Sequence, residues 1–153
     1  RRIAALCALA VALLNFPGEA MVLAHAGTGT LIPGLADFHP AWNRGVSFSL
    51  LTQDSATGRI LLSLVLAAIV VLVAAMAWRT REKLAAAGYG LIVGGALANL
   101  SDRIRHGAVL DYLALHLGSV PLFVCNFADI AISAGVALVV LDGLIAGRAR
   151  RDS

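Results

Sequence analysis

Five side chains between Gly94 and Asp129 set polar or ionisable groups at or beside long apolar runs: Asn99, Asp102, Arg103, Asp111 and Asp129. At membrane depth each would cost free energy unless partnered or hydrated, so an ionisable group there marks a functional site by default. Asp111, in Val109-Leu110-Asp111-Tyr112-Leu113, and Asp129, in Asn126-Phe127-Ala128-Asp129-Ile130-Ala131, are lone carboxylates among apolar neighbours. If they meet in space they cannot both ionise easily; one pKa rises and the pair holds a single proton near neutral pH. Such a dyad can take a proton from water with one carboxylate while the other protonates or hydrogen-bonds a carbonyl oxygen. Spacing alone leaves equally open that these are two unrelated loop or interface carboxylates.

Asn99, Asp102 and Arg103 lie at i, i+3 and i+4, a spacing that predicts one helical face, and a structural ion pair is the simpler reading of Asp102 with Arg103. Asn126 and Asp129 are one turn apart, so Asn126 can hydrogen-bond whatever Asp129 touches. His25, His39, His106 and His116 show no metal-ligand spacing, and no Ser, His and Asp constellation or phosphate-binding glycine loop appears. Cys7 and Cys125 lie in apolar surroundings and read as packing residues rather than as a disulfide or metal site.

The elements that must position these groups are membrane spans. Of 153 residues, 59% are hydrophobic and only 14% charged, where soluble domains are nearer a quarter charged. No Gly/Ser-rich or Pro-rich linker divides the chain, so a single domain over residues 1–153 is expected. The formal charge of +3 does not indicate nucleic acid, because the basic residues sit at segment ends rather than with aromatics on one face. Four spans are predicted, at roughly residues 3–26, 60–78, 84–100 and 122–146. The first carries Asn15, Pro17, Gly18 and Glu19, which suits a span with a polar inner face better than a signal peptide ending near Ala24-His25-Ala26. Gly88, Gly90, Gly94 and Gly95 in the third would let helices approach closely. Gly27 to Gly58 is turn-rich, and Val46-Ser47-Phe48-Ser49-Leu50 alternates at a strand's period, predicting a small extracytoplasmic β element. Asp102 to Pro121 reads as a second, mixed connection. The fold class expected is an all-α membrane protein with that β element. Basic clusters at the start, around Arg79 to Lys83 and at the end put both termini in the cytoplasm and both long connections on the outer face.

Four stretches in order resemble the successive motifs of the bacterial lipoprotein signal peptidases, the signal peptidase II family. They are Asn43-Arg44-Gly45-Val46-Ser47-Phe48-Ser49, Gly94 to Arg103, Gly107-Ala108-Val109-Leu110-Asp111-Tyr112, and Phe123-Val124-Cys125-Asn126-Phe127-Ala128-Asp129. The resemblance implies an aspartic endopeptidase of the bacterial inner membrane that cuts diacylglyceryl-modified prolipoproteins just before the lipidated cysteine. It implies a monomer working among membrane lipids, with no metal, organic cofactor or nucleic acid. It makes Asp111 and Asp129 the catalytic dyad, with Asn43, Gly45, Asn99, Arg103 and Asn126 lining or bracing the site and Asp102 pairing nearby. The first span departs from the family: Asn15 stands where an Asp is usual and Glu19 where a base is expected, which bears on substrate-helix docking. Cys125 replaces a common aromatic. Two other classes compete with the peptidase: a non-catalytic or narrow-range paralogue that binds lipoprotein signal peptides, and a proton-coupled transporter using the two acids as a relay. The transporter would want acids within spans and internal repeats, and no repeat is visible.

Overall fold

The computed structural model describes residues 1–24, 27–44 and 56–149. The long apolar runs form helices α1 (Arg2–Ala24), α2 (Ala56–Arg79), α3 (Lys83–His106) and α4 (Phe127–Ala149). All four are long and apolar enough to cross a membrane, since about 20 helical residues span the ~30 Å hydrocarbon core. Between them lie strands β1 (Gly29–Ile32), β2 (Ala36–Asn43), β3 (Val109–Leu117) and β4 (Val120–Cys125), forming one antiparallel sheet in the order β1-β2-β3-β4.

α3 is the hub, packed against each of the other helices. Its glycines make this approach feasible. A Cβ on Gly88 would lie 2.6 Å from the Gly135 carbonyl oxygen, and one on Gly95 would lie 2.5 Å from that of Ala128, so α3 and α4 meet backbone to backbone. On its other side, Gly90 and Gly94 give the same proximity to Ala4 and Ala8 of α1. The buried residues of α1 are Ala4, Val11, Asn15, Glu19 and Val22, a single helical stripe, so the polar interruption of the first span does face inward. Arg1 lies over the Trp78 ring at 4.5 Å, and its Nε donates to the Trp78 carbonyl at 3.2 Å, placing the start of α1 beside the end of α2.

The expected strand at Val46–Leu50 lies outside the described residues, and the strands described come from parts of both long connections. The fourth helix starts at Phe127, not near Leu122, because Leu122 to Cys125 belong to β4, where Cys125 pairs with Leu113 and Phe123 with Leu115. The capping residue Asn126 ends that strand, and Pro121, its second residue, pairs with His116. The third helix runs past residue 100 to His106, where Gly107 takes a left-handed φ of 71° and donates its N–H to the Arg103 carbonyl. That turn delivers the chain directly into β3.

Candidate active site

Asp111 and Asp129 line one cavity of about 140 Å³ from different elements. Asp111 is the third residue of β3, opposite Ala41 in the β2 register. Asn43 Nδ2 donates to its Oδ2 at 2.9 Å, and Asn126 Nδ2 donates to its Oδ1 at 3.0 Å. Asp129 occupies the first turn of α4. Its Oδ1 accepts from Asn99 Nδ2 at 2.8 Å and its Oδ2 from the Asn126 backbone N–H at 3.2 Å. The Asp129 N–H in turn donates to Asn126 Oδ1 at 3.0 Å. Asn126 and Asp129 therefore form a reciprocal capping box, in which two free N–H groups of a helix start are satisfied by each other's side chains.

Asn126 ties the two acids together. Besides Asp111, its Nδ2 donates to Asn99 Oδ1 at 3.1 Å, so both amide protons and the carbonyl oxygen are used. This pattern fixes the amide orientation, because the oxygen must face a backbone N–H and the nitrogen a carboxylate. The residue is buried, at 2% exposure, and nothing about it is free to rotate without breaking several bonds. Tyr112, which sequence reasoning did not single out, adds a further support: its hydroxyl accepts the Phe127 N–H at 3.1 Å. The available signal was a phenol on a half-buried strand, which needs a partner for its oxygen.

Arg103 lines the cavity, and among the carboxylates acting on it Asp111 comes first, then Asp129, then Asp102. The expected common face of Asn99, Asp102 and Arg103 is thus divided. Asn99 and Arg103, one turn apart, reach the dyad; Asp102, 3% exposed, accepts the Leu110 backbone N–H and faces Glu19, His106 and Arg105. Gly45 lies outside the described residues. α2 contributes Leu66 and Ile69 as an apolar wall of the cavity.

Burial holds the Asp111 carboxyl up at about 6 from an ordinary 3.8, opposed by the Asn43 hydrogen bond and reinforced by the Asp129 charge. Burial, with the nearby Asp129 and Asp111, likewise pushes the Cys125 thiol up to about 11, which keeps it un-ionised and unreactive at neutral pH. The Tyr112 phenol is also raised by burial and remains neutral. Chemically, the site offers two carboxylates on one small cavity, a guanidinium beside them, and amides that hold both in place.

Comparison with known proteins bears on the family and the fold. The family model described as Signal peptidase (SPase) II matches residues 7–145. A lipoprotein signal peptidase of Methylorubrum extorquens is 47% identical over 109 residues, covering 71% of this chain and 64% of that protein. One of Beijerinckia indica is 50% identical over 101 residues, covering 65% and 60%. The chain thus matches less than two thirds of the length of these relatives. Against the lipoprotein signal peptidase of Escherichia coli the identity is 33% over 146 residues, covering 93% of this chain and 89% of that one. Among solved structures, a bacterial membrane enzyme obtained by the in meso method at 2.3 Å shares the fold, with a TM-score of 0.73 over 92% of this chain and 87% of that one at 18% identity.

Proposed function

We propose that this chain, which belongs to the signal peptidase II family, is an intramembrane aspartic endopeptidase that removes the signal peptide of diacylglyceryl-modified prolipoproteins just before the lipidated cysteine. One observation carries the reading: Asp111 and Asp129, from a strand and a helix separated in sequence, border the same cavity and share the bridging amide of Asn126. A purely structural carboxylate pair would be expected to neutralise itself against a base or to face water. Here Arg103 offsets part of the charge, and a carboxyl held near 6 can exchange a proton at physiological pH.

In the proposed reaction one carboxylate takes a proton from the attacking water while the protonated partner donates to the scissile carbonyl oxygen. The resulting gem-diol then collapses: one of its hydroxyls returns a proton to the carboxylate while the other carboxyl gives its proton to the leaving amine, so the C–N bond breaks and the dyad again holds one proton. Asn43, Asn99 and Asn126 keep both acids oriented throughout, and Arg103 stabilises the negative charge left on the pair. Two carboxylates suffice to cycle the protons. All these groups come from one chain, which supports a reading of the protein as a single domain whose site is complete in a monomer. The basic clusters at the segment ends support a topology with both termini in the cytoplasm and the sheet, with the dyad, near the outer face.

The test is incubation of the purified protein in detergent with a diacylglyceryl-modified prolipoprotein and, separately, with its unlipidated precursor. A shortened product from the first alone is expected. An unchanged lipidated substrate, bound without turnover, would instead establish the signal-peptide-binding paralogue.

A further inference from the structure

Glu19 is 6% exposed in the middle of the bundle, yet it takes no part in the reaction just described. From the inner stripe of α1 its Oε2 lies 3.6 Å from Arg105 Nη1 and its Oε1 3.2 Å from His106 Nε2. The His106 approach is a close contact rather than an aligned hydrogen bond, since Oε1 lacks a hydrogen-bond partner. Asp102, a second buried acid, faces the same place, so the Arg105 guanidinium and the His106 ring at the end of α3 stand against two carboxylates. These contacts tie the inner stripe of α1 to the last turn of α3.

What they fix can be followed residue by residue. The His106 ring packs on Trp42 with centroids 5.1 Å apart and an interplanar angle of 48°. Asp102 accepts the N–H of Leu110. Trp42 and Leu110 are partners in the β2–β3 register, and their neighbours in that register are Ala41 with Asp111 and Asn43 with Val109. The turn at Gly107 leaves little chain between His106 and Asp111. We propose that Glu19 and His106 are positioning residues for Asp111: α1 grips the end of α3, which sets Trp42 and Leu110, and these set the Asp111 carboxylate against its Asn43 donor. The inference rests on the peptidase reading for its kinetic consequences alone, because the position of a carboxyl is also measurable without turnover.

The experiment uses the full chain in detergent, with two readouts: steady-state cleavage of a diacylglyceryl-modified prolipoprotein, and the pH titration of the infrared carboxyl band that Asp111→Asn deletes. Glu19→Gln and His106→Gln should each lower kcat about tenfold, equivalent to about 1.4 kcal/mol of barrier. KM should stay nearly unchanged, and the double variant should be little worse than either single one. Glu19→Asp, which keeps the charge, should recover most of the loss. The Asp111 band should titrate near 6 in the parent and nearer the ordinary carboxylate value in Glu19→Gln, as a loosened strand admits water. Should Glu19→Gln fail to fold, Trp42→Leu carries the test, since Trp42 is 45% exposed and its loss removes the ring contact with His106. Parental kcat and an unmoved band in folded variants, or losses that multiply, would overturn the inference. A parent that cleaves nothing, with a band that still shifts on Glu19→Gln, overturns the peptidase reading and leaves the positioning role standing.

Discussion

The seam between α3 and α4 and the outer face of α2 are both apolar, yet they do opposite work. Along the seam the helices touch through Gly88 with Gly135 and Gly95 with Ala128, and at its end the contact becomes polar, with Asn99 bonded to Asp129. On α2 the residues Ile60, Leu61, Leu64, Val65, Val71 and Leu72 are all at least half exposed, while Val70 and Ala77 are buried. In water the more apolar helix would be the core. In lipid, bulky apolar side chains gain nothing by leaving the bilayer, so the interior is marked instead by small residues and by polar groups that need partners. α3, which carries glycines and the residues Asn99, Asp102 and Arg103, is therefore the centre, and α2 is a lipid-facing wall that reaches the site only through Leu66 and Ile69.

The hardest way to break this contrast is at the polar end of the seam. Asp111→Asn and Asp129→Asn should each remove cleavage by at least about a thousandfold, and the double variant should be hardly worse, since a dyad works as one unit. Expression and detergent behaviour equal to the parent would show that folding was spared; robust turnover by either single variant would end the dyad reading. Next comes the glycine contact. Gly135→Leu would drive a side chain into the Gly88 carbonyl, 2.5 Å from a Cβ alone, and should destabilise by more than the usual ~1–3 kcal/mol of overpacking. Loss of monodisperse protein is the expected readout.

Asn126→Ala should have an intermediate effect. It removes a helix cap, about 1 kcal/mol of stability, and also unlinks Asp111 from Asn99 and Asp129. Activity should consequently fall further than the change in melting temperature explains, and equal proportional losses would reduce Asn126 to a cap. Smaller again is the pH effect. Asp111 binds its proton to higher pH in the folded protein, about 6, than in the unfolded chain. Between those values the folded state holds more protons, so this group's contribution makes stability fall as pH rises from 4 to 6. Asp111→Asn should flatten that slope, as read by thermal unfolding across this range. Activity should show an acid limb over the same window, with apparent values belonging to the pair. The least effect is expected on the lipid-facing wall: Leu64→Ala, at 62% exposure, should change stability by no more than about 0.5 kcal/mol. A larger loss would mean that α2 is held as firmly as the seam.

The contrast also explains which features could be read in advance. Helices announce themselves by long apolar runs, and Gly88, Gly90, Gly94 and Gly95 announce close packing because little else favours glycine within a span. Asp111 and Asp129 stood out as acids among apolar residues, but only the motif resemblance favoured their meeting. The sheet was hidden for physical reasons. β2 and β3 pair across the two central helices, and nothing local in Ala36–Asn43 specifies Val109–Leu117 as its partner. β4 is apolar without alternation, from Val120 to Val124, and so reads as the start of a span. Spacing could pair Asp102 with Arg103, whose charge it does act on, but not with Leu110 and Glu19, which lie on other elements.

The capping box at the start of α4 has a consequence for biosynthesis. Asn126 and Asp129 belong to the last helix of the bundle, whereas Asn43 and Asp111 precede it. A nascent chain that has inserted α1, α2 and α3 and folded its sheet still lacks both the second acid and the amide that orients the first. The dyad is completed only as α4 nucleates, because the hydrogen bonds that begin the helix are the same ones that aim Asp129. On the dyad reading, products that stop before α4 would therefore enter the membrane without hydrolytic capacity.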